Sequence, residues 1–324
     1  MEPPLYEVFN GDADGICALH QLRLFRRPRK TVPVTGVKRD IALLERLRGL
    51  TRAEVLVLDV SLDKNRPALL DLLANGCRVE YFDHHYAGEI PDHPNLVTHI
   101  DPSPTTNTSL IVDRHLGGPF TEWALVGAYG DNLHDVADAM GRGLGLEAAE
   151  LERLRLLGEL LNYNAYGRDP ADLHFRPETL LERMEGHRSP SDFLAAFDLV
   201  ARLREAREAD LRKAASAAPV LSEEWGAVYV LPDAAWARRV SGDFANRLAA
   251  AAPGRAHAVL TDTGDGAFVV SVRAPLARRK GADALCRQFP TGGGRAAAAG
   301  INRLPADRLS AFLDRFRAAF GPAA

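Results

Sequence analysis

Three apolar runs in the first third of the chain each end in acidic or imidazole side chains, and this repetition constrains the fold more than any other feature. YEVFN (residues 6–10) runs into GDADG, where Asp12 and Asp14 flank Ala13; EVLVLDV carries Asp59 near its end; RVEYF leads into Asp83, His84 and His85. Continuous Val- and Leu-rich runs separated by segments of helical spacing read as parallel strands buried on both faces. In an open α/β sheet the ligand site lies outside the carboxyl ends of the strands, which is where all three clusters fall. A fourth acid, Asp131 in GAYGDNL, follows an apolar helical stretch. Carboxylates gathered in one place repel each other unless a cation joins them. Carboxylate with imidazole is a donor set for divalent transition metals. Taken alone, an Asp-His-His triplet could equally be a solvated loop; the four clusters together predict a metal site.

The rest of the chain organises around that site. DGICALHQLRLF (residues 14–25) reads as the first helix, and IALLERLRGL and RPALLDLLANG as further crossover helices, the second stopped by Gly76. NLVTHI predicts a short strand, NTSLIVDRHL a helix begun by the TTNTS capping cluster, and residues 146–161 a long helix broken by NYNAYGRDP. Residues 191–215 read as one amphipathic connector helix; AVYVLP, HAVLTDT and AFVVSVR are three later strands, and AFLDRFRAAF is a final helix. The predicted fold is α/β in two domains. Residues 1–190 form a Rossmann-like, mostly parallel-sheet catalytic domain, 191–218 a helical connector, and 219–324 a smaller α/β substrate-binding domain. The His residues outside the cluster read mainly as structural: His20 lies within the first helix and is expected to be packed, while His134 stands close enough to Asp131 to reach the site.

The order DADG, a strand ending in Asp, then DHH, then Gly-x-x-Gly-Asp resembles the DHH phosphoesterase superfamily. TGGGRAAAAG near the C-terminus resembles the glycine-rich signature of the DHHA1 domain found in the RecJ-like and nanoRNase-like branch, and VVSVRAP and VSGDFANRLA sit where that domain has related segments. The resemblance implies a manganese-dependent hydrolase that cleaves phosphodiester or phosphomonoester bonds with water activated by two metal ions, magnesium or cobalt being alternatives. By that resemblance Asp14, Asp59, His84 and Asp131 would hold one ion, and Asp12 and Asp59 the other. Asp59, His84 and His85 would be catalytic, with His85 on the substrate phosphate and Asp83 orienting its neighbours. Two departures stand out. Relatives place a His where this chain has Asn10 or Val8, so Asn10 is the candidate third ligand of the second ion, which is expected to bind more weakly. Arg295 replaces the His of the glycine-rich signature and, with Gly292, Gly293, Gly294 and Arg273, is a candidate phosphate-binding group.

Composition narrows the substrates. A net charge of −3 excludes a broad polyanion-binding surface, so the expected substrates are short: nanoRNA, linear dinucleotides or nucleoside bisphosphates, cut in an exonuclease-like manner. A pyrophosphatase- or polyphosphatase-like activity, or a degenerate nucleotide-binding regulator, are the alternatives. The chain lacks the G-x-x-x-x-G-K-[ST] loop of an NTP-driven motor and the G-x-S-x-G elbow of a serine hydrolase. Cys17, Cys77 and Cys286 are widely spaced and expected to be reduced. With no signal peptide or membrane-length apolar run, a cytoplasmic location without membrane contact is expected, and a homodimer is compatible with the sequence.

Overall fold

The computed structural model describes residues 3–322. It divides into two compact units, one reaching Arg204 and the other beginning at Glu205. The first carries strands β1 (Leu5–Phe9), β2 (Thr31–Thr35), β3 (Glu54–Leu58), β4 (Arg78–Asp83) and β5 (Leu96–Ile100). All are parallel, in the order β2-β1-β3-β4-β5. Helix α1 (Ala13–Phe25) links β1 to β2, and α2 (Leu62–Ala74) links β3 to β4. The two crossovers run in opposite directions from the β1/β3 pair, so right-handed connections place α1 and α2 on opposite faces. The chain therefore reverses its winding between β1 and β3, and this is where doubly wound sheets bind ligands.

Behind α1 stand α3 (Thr108–Leu116), α4 (Thr121–Gly130), α5 (His134–Gly143), α6 (Ala148–Asn164), α7 (Pro177–Met184) and α8 (Pro190–Ala196), followed by α9 (Leu199–Ala215). On the α2 face, Val8, Val55, Val57, Val79 and Tyr81 pack with Leu62, Leu69, Leu72 and Leu73 in one buried cluster. Gly127 lets α4 approach α3: a Cβ there would lie 2.2 Å from the Ser109 Oγ. Cys17, Cys77 and Cys286 are all buried free thiols. No helix of the described residues is long and apolar enough to cross a membrane.

The second unit is a sheet of order β10-β11-β9-β8-β7-β6, in which only β7 and β8 are parallel. Its strands are β6 (Pro219–Glu223), β7 (Gly226–Leu231), β8 (Ala256–Asp262), β9 (Ala267–Arg273), β10 (Gly292–Gly294) and β11 (Ala298–Pro305). Its helices are α10 (Ala235–Ala251), α11 (Ala282–Cys286) and α12 (Leu309–Phe320). Phe312, Phe316 and Phe320, spaced four apart on α12, are buried in the core of this unit beside Val270 and Ile301. The two-unit α/β architecture is the one the sequence predicts.

Three local expectations are corrected. IALLERLRGL is no crossover α-helix; only Leu43–Leu47 form a turn of 3-10 helix. The Asn65 side chain accepts from the Leu44 N–H (3.1 Å) and donates to the Ile41 carbonyl (2.6 Å). Those bonds satisfy the loop backbone while Leu43, Leu44 and Leu47 stay buried. The 191–215 segment is two helices, because Phe197 is extended (φ −134°, ψ 135°) and its ring sits 5.5 Å from Phe193 and 5.6 Å from His187. The third is β2, which the sequence reading missed: Pro33 weakens its strand signal, and a proline is tolerated there because β2 is the sheet edge.

Candidate metal centre

Parallel register brings the acidic clusters level. Phe9 lies opposite Leu58, and Leu58 opposite Phe82, so the next residues, Asn10, Asp59 and Asp83, emerge side by side at the carboxyl edge. The ladder continues one step beyond the strands, with the Asn10 N–H donating to the Leu58 carbonyl (3.2 Å) and the Asp59 N–H to that of Phe82 (3.0 Å). Asp59 has φ +57°, a left-handed conformation that few residues other than glycine adopt. Asp59 is buried there, lining the cleft that the acidic cluster surrounds.

Asp14, in the first turn of α1, is fully buried. Its Oδ1 accepts from the Ser109 N–H (2.7 Å) and hydroxyl (2.5 Å), and its Oδ2 from the Thr108 N–H (2.8 Å). Thr108 also donates its hydroxyl to Asp59 Oδ1 (3.2 Å). The amino end of α3 thus holds two of the predicted ligands in place. Asp131 follows α4, and His84 reaches over from the end of β4. His84 Nε2 lies 3.4 Å from Asp59 Oδ1, 3.5 Å from Asp131 Oδ2 and 4.0 Å from Asp14 Oδ2. Donor atoms of Asp14, His84 and Asp131 lie within 4.8 Å of one another, as do those of Asp59, His84 and His85, so His84 is shared by two candidate ligand sets.

Electrostatics agrees with the geometry. Burial, then the charges of Asp131 and Asp12, push the Asp14 carboxyl up to about 6 against the pull of His84 and Ser109. Burial and the charges of Asp14, Asp12 and Asp131 push Asp59 well above the carboxylate range. Carboxylates held this close by fixed backbone and hydroxyl donors call for a cation, and the residues present fit a divalent metal ion.

Asp83 is buried beneath the cluster, and its Oδ1 accepts from the His84 N–H (2.9 Å) and from His85 Nδ1 (2.7 Å). The Asp83 bond thus fixes the His85 ring and leaves its Nε2 to the cleft. Burial works against protonation of His85, but the hydrogen bond and charge of Asp83, with Asp131 and Asp14 beyond, raise its pKa.

Asp12 is the N-cap of α1, its Oδ1 accepting from the Asp14 and Gly15 N–H groups (3.1 Å each). Its Oδ2 meets the Lys38 ammonium at 2.5 Å. Lys38 Nζ also lies 3.2 Å from Asp131 Oδ1 and 2.9 Å from Asn162 Oδ1. Burial alone would lower the Lys38 pKa; the charges of Asp12 and Asp131 raise it well above its ordinary value. Asn10 points inward, its Oδ1 accepting from the Asp12 N–H (3.3 Å) and its Nδ2 donating to the Lys38 carbonyl (3.3 Å). Asn10 thus braces the loop and also lines the cleft.

Sequence reasoning missed Lys38 and Asn162, and it took Thr108 and Ser109 first as capping residues. Asn107 is indeed the cap of α3. The hydroxyls beside it were the available signal for a role at the site. His134 packs against the Tyr129 ring (5.8 Å) and stands apart from the cluster. His20 is buried, its Nε2 2.9 Å from the His187 carbonyl, and Trp123 packs edge-on at 4.7 Å.

The cleft above the cluster has a volume of about 510 Å³. Ser61 and Lys64, at the amino end of α2, line one side, and Tyr86, 77% exposed, stands at the mouth.

In the second unit, Gly292, Gly293 and Gly294 pair with β11. A Cβ on Gly292 would fall 1.7 Å from the Cys286 carbonyl oxygen, whereas one on Gly293 would meet open space. Arg295 sits at the hairpin turn, its N–H bonded to the Ala298 carbonyl (2.9 Å) and its side chain exposed. Arg273 is differently placed: its guanidinium donates to Asn246 Oδ1 (2.6 Å) and to the Gly242 carbonyl (3.3 Å), tying β9 to α10.

No family model matches the sequence, and no curated protein matches it. Solved structures do. A DHH-domain protein described as a member of a family of ribosomal proteins aligns at TM-score 0.64 and 14% identity over 98% of this chain and 86% of its own. An exonuclease RecJ bound to manganese aligns at TM-score 0.58 and 18% identity, over 97% and 89%. A pGpG-specific phosphodiesterase from Vibrio aligns at TM-score 0.50 and 17% identity, over 98% and 99%. The chain has the fold of the DHH-domain proteins across both units.

Proposed function

We propose that this chain is a metal-dependent phosphoesterase acting on short nucleotide substrates. The observation that carries the reading is the convergence of Asp14, Asp59, Asp131 and His84 at the carboxyl end of the parallel sheet. Manganese is the ion that best suits this oxygen-rich set with one imidazole. A divalent ion there supplies Lewis acidity toward a phosphoryl oxygen and a water of lowered pKa. Asp59 and Asp14, held by Thr108 and Ser109, keep the ligand set fixed while substrate exchanges. His85 stays protonated to higher pH than a free imidazole and offers its Nε2–H to a phosphate oxygen or to the departing oxygen. The Asp83 bond takes the Nδ1–H and orients the ring, so the Nε2–H is the second proton of the imidazolium.

Size and surface support a nucleotide rather than a long polymer. A cleft of about 510 Å³ accommodates a small ligand. Tyr86 offers an exposed ring for stacking a base, and Lys64 with the amino end of α2 offers positive charge to phosphate. In the second unit, the exposed Arg295 beside Gly292–Gly294 is a candidate phosphate contact in its own right. The RecJ exonuclease and the pGpG phosphodiesterase, which share the fold, lend the reading support.

AMP release from a 5′-phosphorylated diadenylate in the presence of Mn2+, compared between wild type and Asp59→Asn, tests it. Asn tolerates the left-handed backbone at this position, so the variant is expected to fold and to lose release. Release that survives in Asp59→Asn overturns the assignment. A manganese-loaded wild type inert toward diadenylate, cyclic dinucleotides, nucleoside bisphosphates and pyrophosphate overturns the enzymatic reading in favour of a nucleotide-binding regulator.

A further inference from the structure

We infer that the Lys38 ammonium takes the place of a second metal ion, so that the centre holds one divalent ion per chain. The inference rests on the metal-dependent reading above, yet it concerns the chain's own residues. The acidic cluster contains two separate cation positions. One lies among Asp14 Oδ2, Asp59 Oδ1, Asp131 Oδ2 and His84 Nε2, where no lysine or arginine of the described residues sits at hydrogen-bonding distance. The other lies among Asp12 Oδ2, Asp131 Oδ1 and Asn162 Oδ1, and Lys38 Nζ fills it at 2.5, 3.2 and 2.9 Å. Asp131 stands between the two, turning one oxygen to each.

An ammonium has three donors and no lone pair, and these three acceptors match its three donors. Both oxygens of Asp12 are engaged: Oδ1 by the helix N–H groups, Oδ2 by Lys38. A second divalent ion on Asp12 would have to displace the ammonium from Oδ2. Lys38 compensates charge and fixes Asp12 and Asp131. It is a positioning residue, and the reacting oxygens are left to the single ion and to His85.

Manganese binding measures this without turnover. Calorimetric titration of the full wild-type chain with Mn2+ is expected to give one ion per chain, and electron paramagnetic resonance of the loaded protein the six-line signal of an isolated ion. Lys38→Ala, which frees Asp12 Oδ2 and Asp131 Oδ1, is expected to admit a second ion and a spin-coupled spectrum; Lys38→Arg, which keeps the charge, is expected to stay at one. Two ions per wild-type chain, or a coupled spectrum with Lys38 in place, overturns the inference. So does a folded Lys38→Ala that saturates at one ion. The wild-type measurement decides even where the alanine variant does not fold. A wild type that binds one ion and hydrolyses nothing sinks the proposed activity and leaves this inference standing. Hydrolysis with two bound ions does the reverse, and a wild type that binds no Mn2+ overturns both.

Discussion

His20 offers a prediction whose size follows from the structure. Its Nε2 donates to the His187 carbonyl, while its Nδ1 is buried with no hydrogen-bond partner. Protonation would bury a second N–H with no hydrogen-bond acceptor. Burial, aided by the charges of Arg23 and His187 and opposed by the His187 hydrogen bond, lowers its pKa from 6.5 to about 4. Between those values the unfolded chain binds a proton that the folded chain refuses, so stability falls as pH falls. The contribution is complete above the unfolded value and disappears as the pH approaches the folded one. Going from pH ~7.5 to ~4.5, this group alone removes about 2.5 kcal/mol from the N-terminal unit. Other groups titrate over the same range, so the measurable quantity is a difference of differences against His20→Gln. That variant can donate to the same carbonyl but has no proton to take up. Urea unfolding read from Trp123 emission, in a Trp225→Phe, Trp236→Phe background, isolates this unit. The acid loss is expected to be smaller in His20→Gln by about 2.5 kcal/mol. Equal losses in the two proteins, within about 0.5 kcal/mol, would refute the argument that an imidazole without a second acceptor resists protonation here.

Three other tests probe separate parts of the molecule. Tyr86→Ala is expected to raise KM for a dinucleotide about 10-fold, in line with one lost base stack, and to leave pyrophosphate turnover unchanged; an equal effect on both substrates would remove the stacking role. Ser109→Ala deletes two hydroxyl bonds to Asp14 and is expected to weaken Mn2+ binding about 10- to 100-fold with the fold intact, as read by calorimetry and circular dichroism. Gly292→Ala drives a Cβ into the Cys286 carbonyl and is expected to destabilise the C-terminal unit by more than about 3 kcal/mol. Gly293→Ala, facing open space, is expected to change it by less than about 1 kcal/mol; thermal melts that do not separate the two variants would contradict the packing described for β10.

What could be read in advance depended on whether a signal was local. Asn10, Asp59 and Asp83 each follow an apolar run, and strand register alone brings them level. Their meeting is therefore implied by composition and periodicity, as are α1, α2 and strands β7, β8 and β9 of the second unit. The break at Phe197 was not legible, because residues 191–215 keep their helical periodicity through a point where an aromatic ring turns aside to pack on Phe193 and His187. Nor was the 3-10 turn at Leu43–Leu47, whose backbone is satisfied by Asn65 from the following helix. Both depend on a side chain making a contact that the local pattern does not encode.

The metal centre divides along the same line. Its acidic members stand in motifs, but Lys38 lies 26 residues beyond Asp12 in the loop after an edge strand weakened by proline. Asn162 lies 124 residues beyond Lys38, near the end of α6. Neither has a neighbour in sequence that marks it. Sequence could show that a ligand was missing at Asn10, and from a missing ligand alone a weakened second metal is the natural reading. Geometry adds a fact to that reading, because Asp12 Oδ2 already meets an ammonium. Asp12, buried, and Asp131 beside it carry negative charge that needs a partner. Lys38 balances it with three bonds from one side chain, so the fold can keep this half of the cluster intact without a second ion.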